Sequence, residues 1–166
     1  NPGTHDVDLL CQVLTDFKEG RSDVWVPVYD KSAHSGEGDR QGKRKLRKSS
    51  VLLVEGWCLG FASRNMRDAI DVHVKKYERV MDFFDAFVVL KPPSLSIVYE
   101  WREEAEQKLR IIGQGMSIRE VQSFVSVYME TYKTYLQQLY DAPRTRPTVC
   151  ASLDASRNIV SMEWQW

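Results

Sequence analysis

The apolar positions of the chain fall into blocks whose spacing alternates between helical and extended. From Asp6 to Glu19 they recur as Val7, Leu9, Leu10, Val13, Leu14 and Phe17, with Gly20 behind them. This is the stripe of an amphipathic helix followed by a glycine stop. VWVPVY, Val24 to Tyr29, alternates and is rich in β-formers, but Pro27 restricts it to an edge strand or an extended segment. Asp30 to Ser50 has no apolar period; its serine-glycine turns and the basic cluster KRKLRK, Lys43 to Lys48, predict a mobile surface loop. VLLV, Val51 to Val54, is an unbroken aliphatic run, as in a strand covered on both faces. After Gly60 a polar, helix-forming stretch reaches about Phe84, and DAFVVL, Asp85 to Leu90, predicts a second buried strand closed by Pro92 and Pro93. Strand, helix and strand in that order imply a parallel pair. Ser94 to Arg110 is a charged helix with a serine cap, broken at GQG, Gly113 to Gly115. Ser117 and Glu120 form a capping box ahead of Val121, Phe124, Val125, Tyr128, Tyr132, Tyr135 and Leu136. Thr148 to Leu153 reads as a last short strand before the DASRN turn and a tail. The class is α/β, a parallel sheet with flanking helices.

Composition narrows the classes of partner. The chain has 166 residues, 43% of them hydrophobic, enough for one compact domain or part of a larger one. Lysine plus arginine and aspartate plus glutamate balance at 23 each. No global field therefore draws nucleic acid or an anionic membrane, and any charge-driven partner must use a local patch. No apolar run exceeds five residues, far below the roughly 20 that span a bilayer. The amino end shows no basic-then-apolar leader. Cys11, Cys58 and Cys150 are scattered and odd in number, which suits buried thiols in a reducing, cytoplasmic setting better than a disulfide framework or a zinc site. Homo-oligomerisation is left open.

Several positions could carry chemistry. Glu55, at the end of the VLLV run and before Gly56, could position a metal or a nucleophile beside transferred phosphate, or could simply cap a helix. PVYDKSAHSGEGDR, Pro27 to Arg40, gathers Tyr29, Asp30, Lys31, His34, Asp39 and Arg40 on a glycine-rich loop. That set could wrap a hydroxylated anion, or could be a solvated loop. Arg102 and Arg110, eight positions apart on one helix, could clamp phosphate, or could pair with Glu100, Glu103 or Glu106. His5 and His73 lack ligand-spaced partners and receive no metal role. The tyrosines from Tyr128 to Tyr140 fall at helical spacing, as core and rim residues do. SGEGDRQGKRK mimics a phosphate-binding loop but fails its pattern, G-x-x-x-x-G-K-[ST]. Gly36 to Gly42 encloses five residues, Arg44 stands where Ser or Thr should be, and no apolar helical stripe follows.

PGTHD at Pro2 to Asp6, PVYDKSxxxGxGDR at Pro27 to Arg40, EGWCLGF at Glu55 to Phe61 and YxWRxxxE at Tyr99 to Glu106 resemble, in order and spacing, the glycerate 3-kinase-like P-loop kinases. GMSxxEVxxFVxxY at Gly115 to Tyr128 and LDASRN at Leu153 to Asn158 extend the resemblance over essentially the whole chain. The family is related to uridine kinase and phosphoribulokinase. The resemblance implies ATP and Mg2+ as cofactors, and transfer of the γ-phosphate to a hydroxyl of glycerate or a similar small metabolite. It implies a catalytic role for Glu55, as the Walker B-like acid, and for Arg102, on a lid spanning residues 94–140 that also holds Arg110. It implies acceptor binding by Tyr29 and by Asp30, Lys31, Asp39 and Arg40 of the 30–50 loop, with His5 and Asp6 alongside; His34 of the same loop is a candidate by its donor chemistry alone.

One part of the family pattern lies outside these residues. The family's GxxGxGK[ST] loop and an aspartate-rich strand end come before PGTHD. Residues 1–166 thus resemble the carboxy-terminal two-thirds of one P-loop NTPase-like domain, incomplete at its N-terminal strands. The strand bearing the loop is expected between Val51–Val54 and Asp85–Leu90, and without it the two either stand apart or pair directly. A small-molecule kinase is the principal reading. The alternative is a non-catalytic remnant or interaction module of the same fold.

Overall fold

The computed structural model describes residues 2–31, 33–36, 38–64, 69–142 and 145–165, with backbone only at 35 and 36. The first helix, α1, spans Val7–Lys18 and starts where Asp6 accepts a hydrogen bond from the Leu9 amide at 3.0 Å, so the aspartate answers one of the unpaired donors of the first turn. Strands β1, Trp25–Asp30, and β2, Asp39–Lys45, form an antiparallel hairpin around a single helical turn, α2, Ala33–Gly36. About a third of the expected mobile loop is therefore a strand. Its polar sequence suits a two-stranded ribbon whose β2 residues are all exposed, a setting with no buried face to impose an apolar alternation.

The remaining elements are α3, Ala69–Met81; β3, Phe87–Lys91; α4, Ile97–Ile111; α5, Ile118–Asp141; β4, Thr148–Leu153; and β5, Ile159–Gln165. β3 and β4 pair in parallel, and β5 adds to β4 antiparallel. The sheet is mixed, and the expected tail is its third strand. The α5 cap forms as expected, with Ser117 and Glu120 each bonding the other's backbone. For α4 the cap is Ser96, without a side-chain bond, in place of Ser94. No helix among the described residues is long and apolar enough to cross a membrane.

The expected strand Val51–Val54 does not form, and β3 has one ladder partner instead of two among the described residues. The segment keeps the two-residue alternation of an extended chain. Leu52 and Val54 pack on the core, while Val51 and Leu53 are 77% and 87% exposed. An extended run becomes a strand only when a neighbour takes its backbone groups, and neither β3 nor any other described strand does so. The faces of the sheet are equally uneven. Phe87, Val89 and Cys150 meet the core. On the opposite face Val88 and Leu90 share register with Val149 and Ala151, and these with Trp164 and Met162; all but Val149 and Ala151 are more than half exposed. Burial on both faces, expected from the aliphatic runs, holds for neither.

The main core joins Val7, Cys11 and Leu14 of α1, Val74, Tyr77 and Val80 of α3, Tyr135 and Leu139 of α5, and Cys58, Leu59 and Phe61 of the segment after Glu55. Gly60 threads between helix and sheet with φ of +86°; a Cβ there would lie 2.7 Å from Leu139 and 3.1 Å from the Phe87 ring, so only glycine fits. Beside this core lies a buried carboxylate. Asp71 of α3 is 1% exposed and accepts hydrogen bonds from the Ser63 hydroxyl at 2.8 Å, the Arg64 amide at 2.8 Å and the Tyr135 hydroxyl at 2.9 Å. Glu78, two turns along α3, accepts from the Ser63 amide at 2.9 Å. Replacing Asp71 with alanine leaves these donors buried without an acceptor. Urea unfolding should register a loss of about 3 kcal/mol, whereas Asp85→Ala, at an exposed ion pair with Lys18, should stay within about 0.5 kcal/mol. Equal effects would contradict the role given to Asp71.

Candidate functional site

Glu55 sits at the end of the unpaired 51–54 segment, exposed, just before the turn over Trp57–Gly60. The chain on its carboxy-terminal side is firmly seated: Cys58, Leu59 and Phe61 are buried, and Trp57 meets Phe61, Tyr128 and Tyr132 with ring centroids 6.0, 5.4 and 5.3 Å away. Burial first, then the neighbouring Cys58, Tyr128 and Glu55, hold the Tyr132 hydroxyl above the ordinary phenol range. Side-chain packing thus fixes the acid from one side, while its own carboxylate faces solvent.

The hairpin delivers the second group of residues. Cross-strand register sets Tyr29 opposite Arg40 and Asp30 opposite Asp39. His34 Nε2 lies 3.1 Å from Asp39 Oδ2, and Asp39 Oδ1 accepts the Arg40 amide at 2.7 Å. Gly38, with φ of +80°, lets the backbone pass against the Tyr29 ring. Lys31 is exposed at the hairpin tip. Arg40 leaves the hairpin and donates to Asp6 Oδ2 at 2.8 Å. That guanidinium, together with the Leu9 amide, holds the Asp6 carboxyl below the usual aspartate range. The residues from PGTHD and from the hairpin therefore meet.

His5 extends the assembly inward. Its Nδ1 bonds the Tyr77 hydroxyl and its ring stands edge-on to the Tyr77 ring, and burial pushes its pKa down. Tyr77 also shares the core with the Cys58 thiol, so one phenol connects PGTHD with EGWCLGF. Between α1 and α3 this leaves a cavity of about 110 Å³ lined by Gly3, His5, Asp6, Asp8, His73, Lys76 and Tyr77. Lys76 and Tyr77 were not singled out by the sequence, and His73 was considered only as a metal ligand. Their spacing, His73 with Lys76 and Tyr77 three and four positions on, puts them on one face of the helix that follows EGWCLGF, and that is the signal by which they could have been found.

Arg102 and Arg110 do not stand ready for phosphate. Arg102 pairs with Glu106 at 2.6 Å, a carboxylate 3% exposed, and stacks over Phe124; Arg110 pairs with Glu103 and donates to the Met116 carbonyl. The turn at Gly113–Gly115 is fastened. Glu106 accepts the Met116 amide at 2.8 Å, and Gly115 lies so close on the backbone of α4 that a Cβ would collide with the Glu106 carbonyl and Arg110. The other end of α4 holds the LDASRN turn, where Trp101 donates to the Ala155 carbonyl at 2.7 Å and Arg157 pairs with Glu104 at 2.7 Å. α4 and α5 share a small core of their own, Val121, Val125 and Met129 with Leu95, Val98, Tyr99 and Met116.

No group of three or more His, Cys, Asp or Glu among the described residues is arranged to hold a metal ion. Glu55 offers one carboxylate. The described residues alone do not build a magnesium site.

Comparison with known proteins places this arrangement. No family model matches the chain. It is 39% identical over 159 residues to the chloroplastic D-glycerate 3-kinase of Arabidopsis thaliana, covering 84% of the chain and 35% of that protein. It is 32% identical over 185 residues to the probable ATP-dependent kinase TDA10 of Saccharomyces cerevisiae, covering 96% and 64%. The structure superposes on the D-glycerate 3-kinase of Cryptococcus neoformans with a TM-score of 0.87 and 27% identity, over 98% of this chain and 68% of that one. The chain belongs with the glycerate 3-kinase-like kinases. It spans between about a third and two-thirds of the length of these relatives.

For this glycerate 3-kinase-like chain the geometry of Arg102 changes what its removal should do. Arg102→Ala uncovers the buried Glu106, so unfolding should become easier by roughly 2 kcal/mol or more. Arg102→Ala combined with Glu106→Gln should recover most of that loss in a double-mutant comparison. Failure of the second substitution to restore stability would show that Arg102 matters through another contact.

Proposed function

We propose that residues 1–166 form the acceptor side and lid of an ATP-dependent kinase that phosphorylates a hydroxyl of a small hydroxy acid, with glycerate the preferred candidate. The observation that carries this reading is the Arg40–Asp6 contact, which brings the hairpin donors and the PGTHD segment to one place, next to the cavity beside Tyr77. In this reading the acceptor is gripped by Lys31, Arg40 and their neighbours, with His5 and Asp6 along one side. Its hydroxyl oxygen bonds to the γ-phosphorus, the bond from that phosphorus to the β–γ bridging oxygen breaks, and ADP leaves. Glu55 stands at the phosphate side, and the helical pair α4–α5 closes over the reactants as a body, since the turn between the helices is fastened and offers no hinge.

The cradle for the ATP phosphates and the group that takes the hydroxyl proton belong, in this reading, to polypeptide outside residues 1–166. Phosphoryl transfer is mainly positioning and charge stabilisation, and no segment of the chain has the pattern of a phosphate-binding loop. The unpaired Val51–Val54 and the open side of β3 support a strand between them, carrying that loop to a point beside Glu55. The names of the relatives supply the substrate classes: a D-glycerate kinase in two cases and an ATP-dependent kinase in the third.

Two measurements test the proposal. Residues 1–166 alone should bind no ATP detectable at millimolar nucleotide, and tight magnesium-dependent binding would sink the placement of the cradle. In the enzyme with its phosphate loop, Lys31→Ala or Arg40→Ala should raise the acceptor KM about tenfold or more, the loss of one charge-assisted contact. The ATP KM should stay nearly unchanged. A change confined to ATP would reassign the hairpin.

A further inference from the structure

The cavity between α1 and α3 has a lining whose charges are only partly matched. Of its two carboxylates, Asp6 is taken by Arg40 at 2.8 Å and Asp8 by Arg79 at 2.8 Å. Among the described residues, the Lys76 side chain makes no ion pair, and neither it nor the His73 ring makes a hydrogen bond. The ammonium is thus the one charge of the lining without an opposite neighbour among them. Gly3, at φ of +105°, sets its backbone so close that a Cβ would lie 2.7 Å from the His73 ring, which confines the imidazole to the cavity wall. One turn further along α3 is the Tyr77 hydroxyl, held by His5.

Size limits the occupant. About 110 Å³ holds several water molecules and is well short of the roughly 300 Å³ or more of pockets that enclose a drug-sized ligand. A nucleotide does not fit; a three-carbon acid does. A carboxylate answers an unpaired ammonium next to an imidazole donor, and a hydroxyl answers the phenol.

We infer that this cavity is the carboxylate subsite of the acceptor, with Lys76 and His73 as the residues that select a hydroxy acid over a neutral polyol. The inference rests on the kinase reading and adds to it which end of the acceptor lies against α3. The hairpin then holds the end of the molecule away from α3, and Tyr77, packed in one core with Cys58, ties the subsite to the segment that bears Glu55.

The test uses the full-length protein, D-glycerate and glycerol as acceptors, and the variants Lys76→Met, Lys76→Arg and His73→Gln. Lys76→Met and His73→Gln should raise the D-glycerate KM at least tenfold, keep the ATP KM within twofold and shrink the preference for D-glycerate over glycerol, which lacks the carboxylate. Lys76→Arg should restore most of the glycerate affinity. If wild type phosphorylates D-glycerate and Lys76→Met and His73→Gln keep its KM within twofold, the subsite is wrong and the kinase reading stands. If wild type phosphorylates no hydroxy acid, the kinase reading fails, and calorimetric titration of D-glycerate decides the subsite alone. Sub-millimolar binding weakened tenfold by Lys76→Met supports it; no binding by wild type, or equal binding by the variant, overturns it.

Discussion

Glu55 rides on a stretch of backbone that has no ladder, and the candidate site depends on how that stretch is held. In a sheet, a strand end is fixed by hydrogen bonds to neighbours on both sides. Here the work falls to side chains behind the acid. Cys58, Leu59 and Phe61 are sunk into the core, Trp57 is packed edge-on between rings, and Asp71 and Glu78 accept hydrogen bonds from Ser63 and Arg64. A buried carboxylate with three donors is strongly directional, because losing any one partner leaves polar atoms in a dry place. It fixes where the chain goes after Phe61, and so indirectly where Glu55 begins.

Two further groups of elements join this centre, one by a charged contact and one by packing. The β1–β2 hairpin reaches α1 through Arg40 and Asp6. The α4–α5 pair has its own small core and joins the main one through Tyr132, which packs on both. A path of rings and one guanidinium, Arg102 over Phe124, Phe124 on Tyr128, Tyr128 on Trp57, runs from α4 to the turn beside Glu55. The position of α4 and that of the turn beside Glu55 are therefore linked by packed side chains in this fold. Because Glu106 pins the α4–α5 turn, movement of α4 carries α5 with it.

Helices were legible in the sequence because each carries an apolar stripe of its own: α1 starts and stops where Asp6 and Gly20 predict, and α5 where Ser117 and Glu120 do. Strands were less so, since a strand depends on a neighbour the local sequence does not name. β2, polar on both faces, gave no alternation, β5 was taken for a tail, and the most strand-like run of all, Val51–Val54, has no ladder. At the site, the Arg40–Asp6 contact joins two motifs that the family resemblance had already assigned to one acceptor site, across 34 positions of sequence. The pairing of Arg102 and Arg110 with glutamates was visible as one of two readings, and the geometry realises it. Lys76 and Tyr77 escaped notice because only their spacing from His73 marks them, and His73 was weighed for a metal role alone.

Amide hydrogen exchange along residues 51–64 tests the central claim, that side chains and not a ladder hold the Glu55 segment. In residues 1–166 alone, the amides of Ser63 and Arg64, bonded to Glu78 and Asp71, should be protected, while those of Val51 to Glu55 exchange nearly as fast as an open chain. In a longer polypeptide that supplies the proposed strand beside them, Val51 to Val54 should gain protection comparable to β3. Protection of Val51–Val54 equal to that of β3 and β4 in residues 1–166 alone would contradict the account.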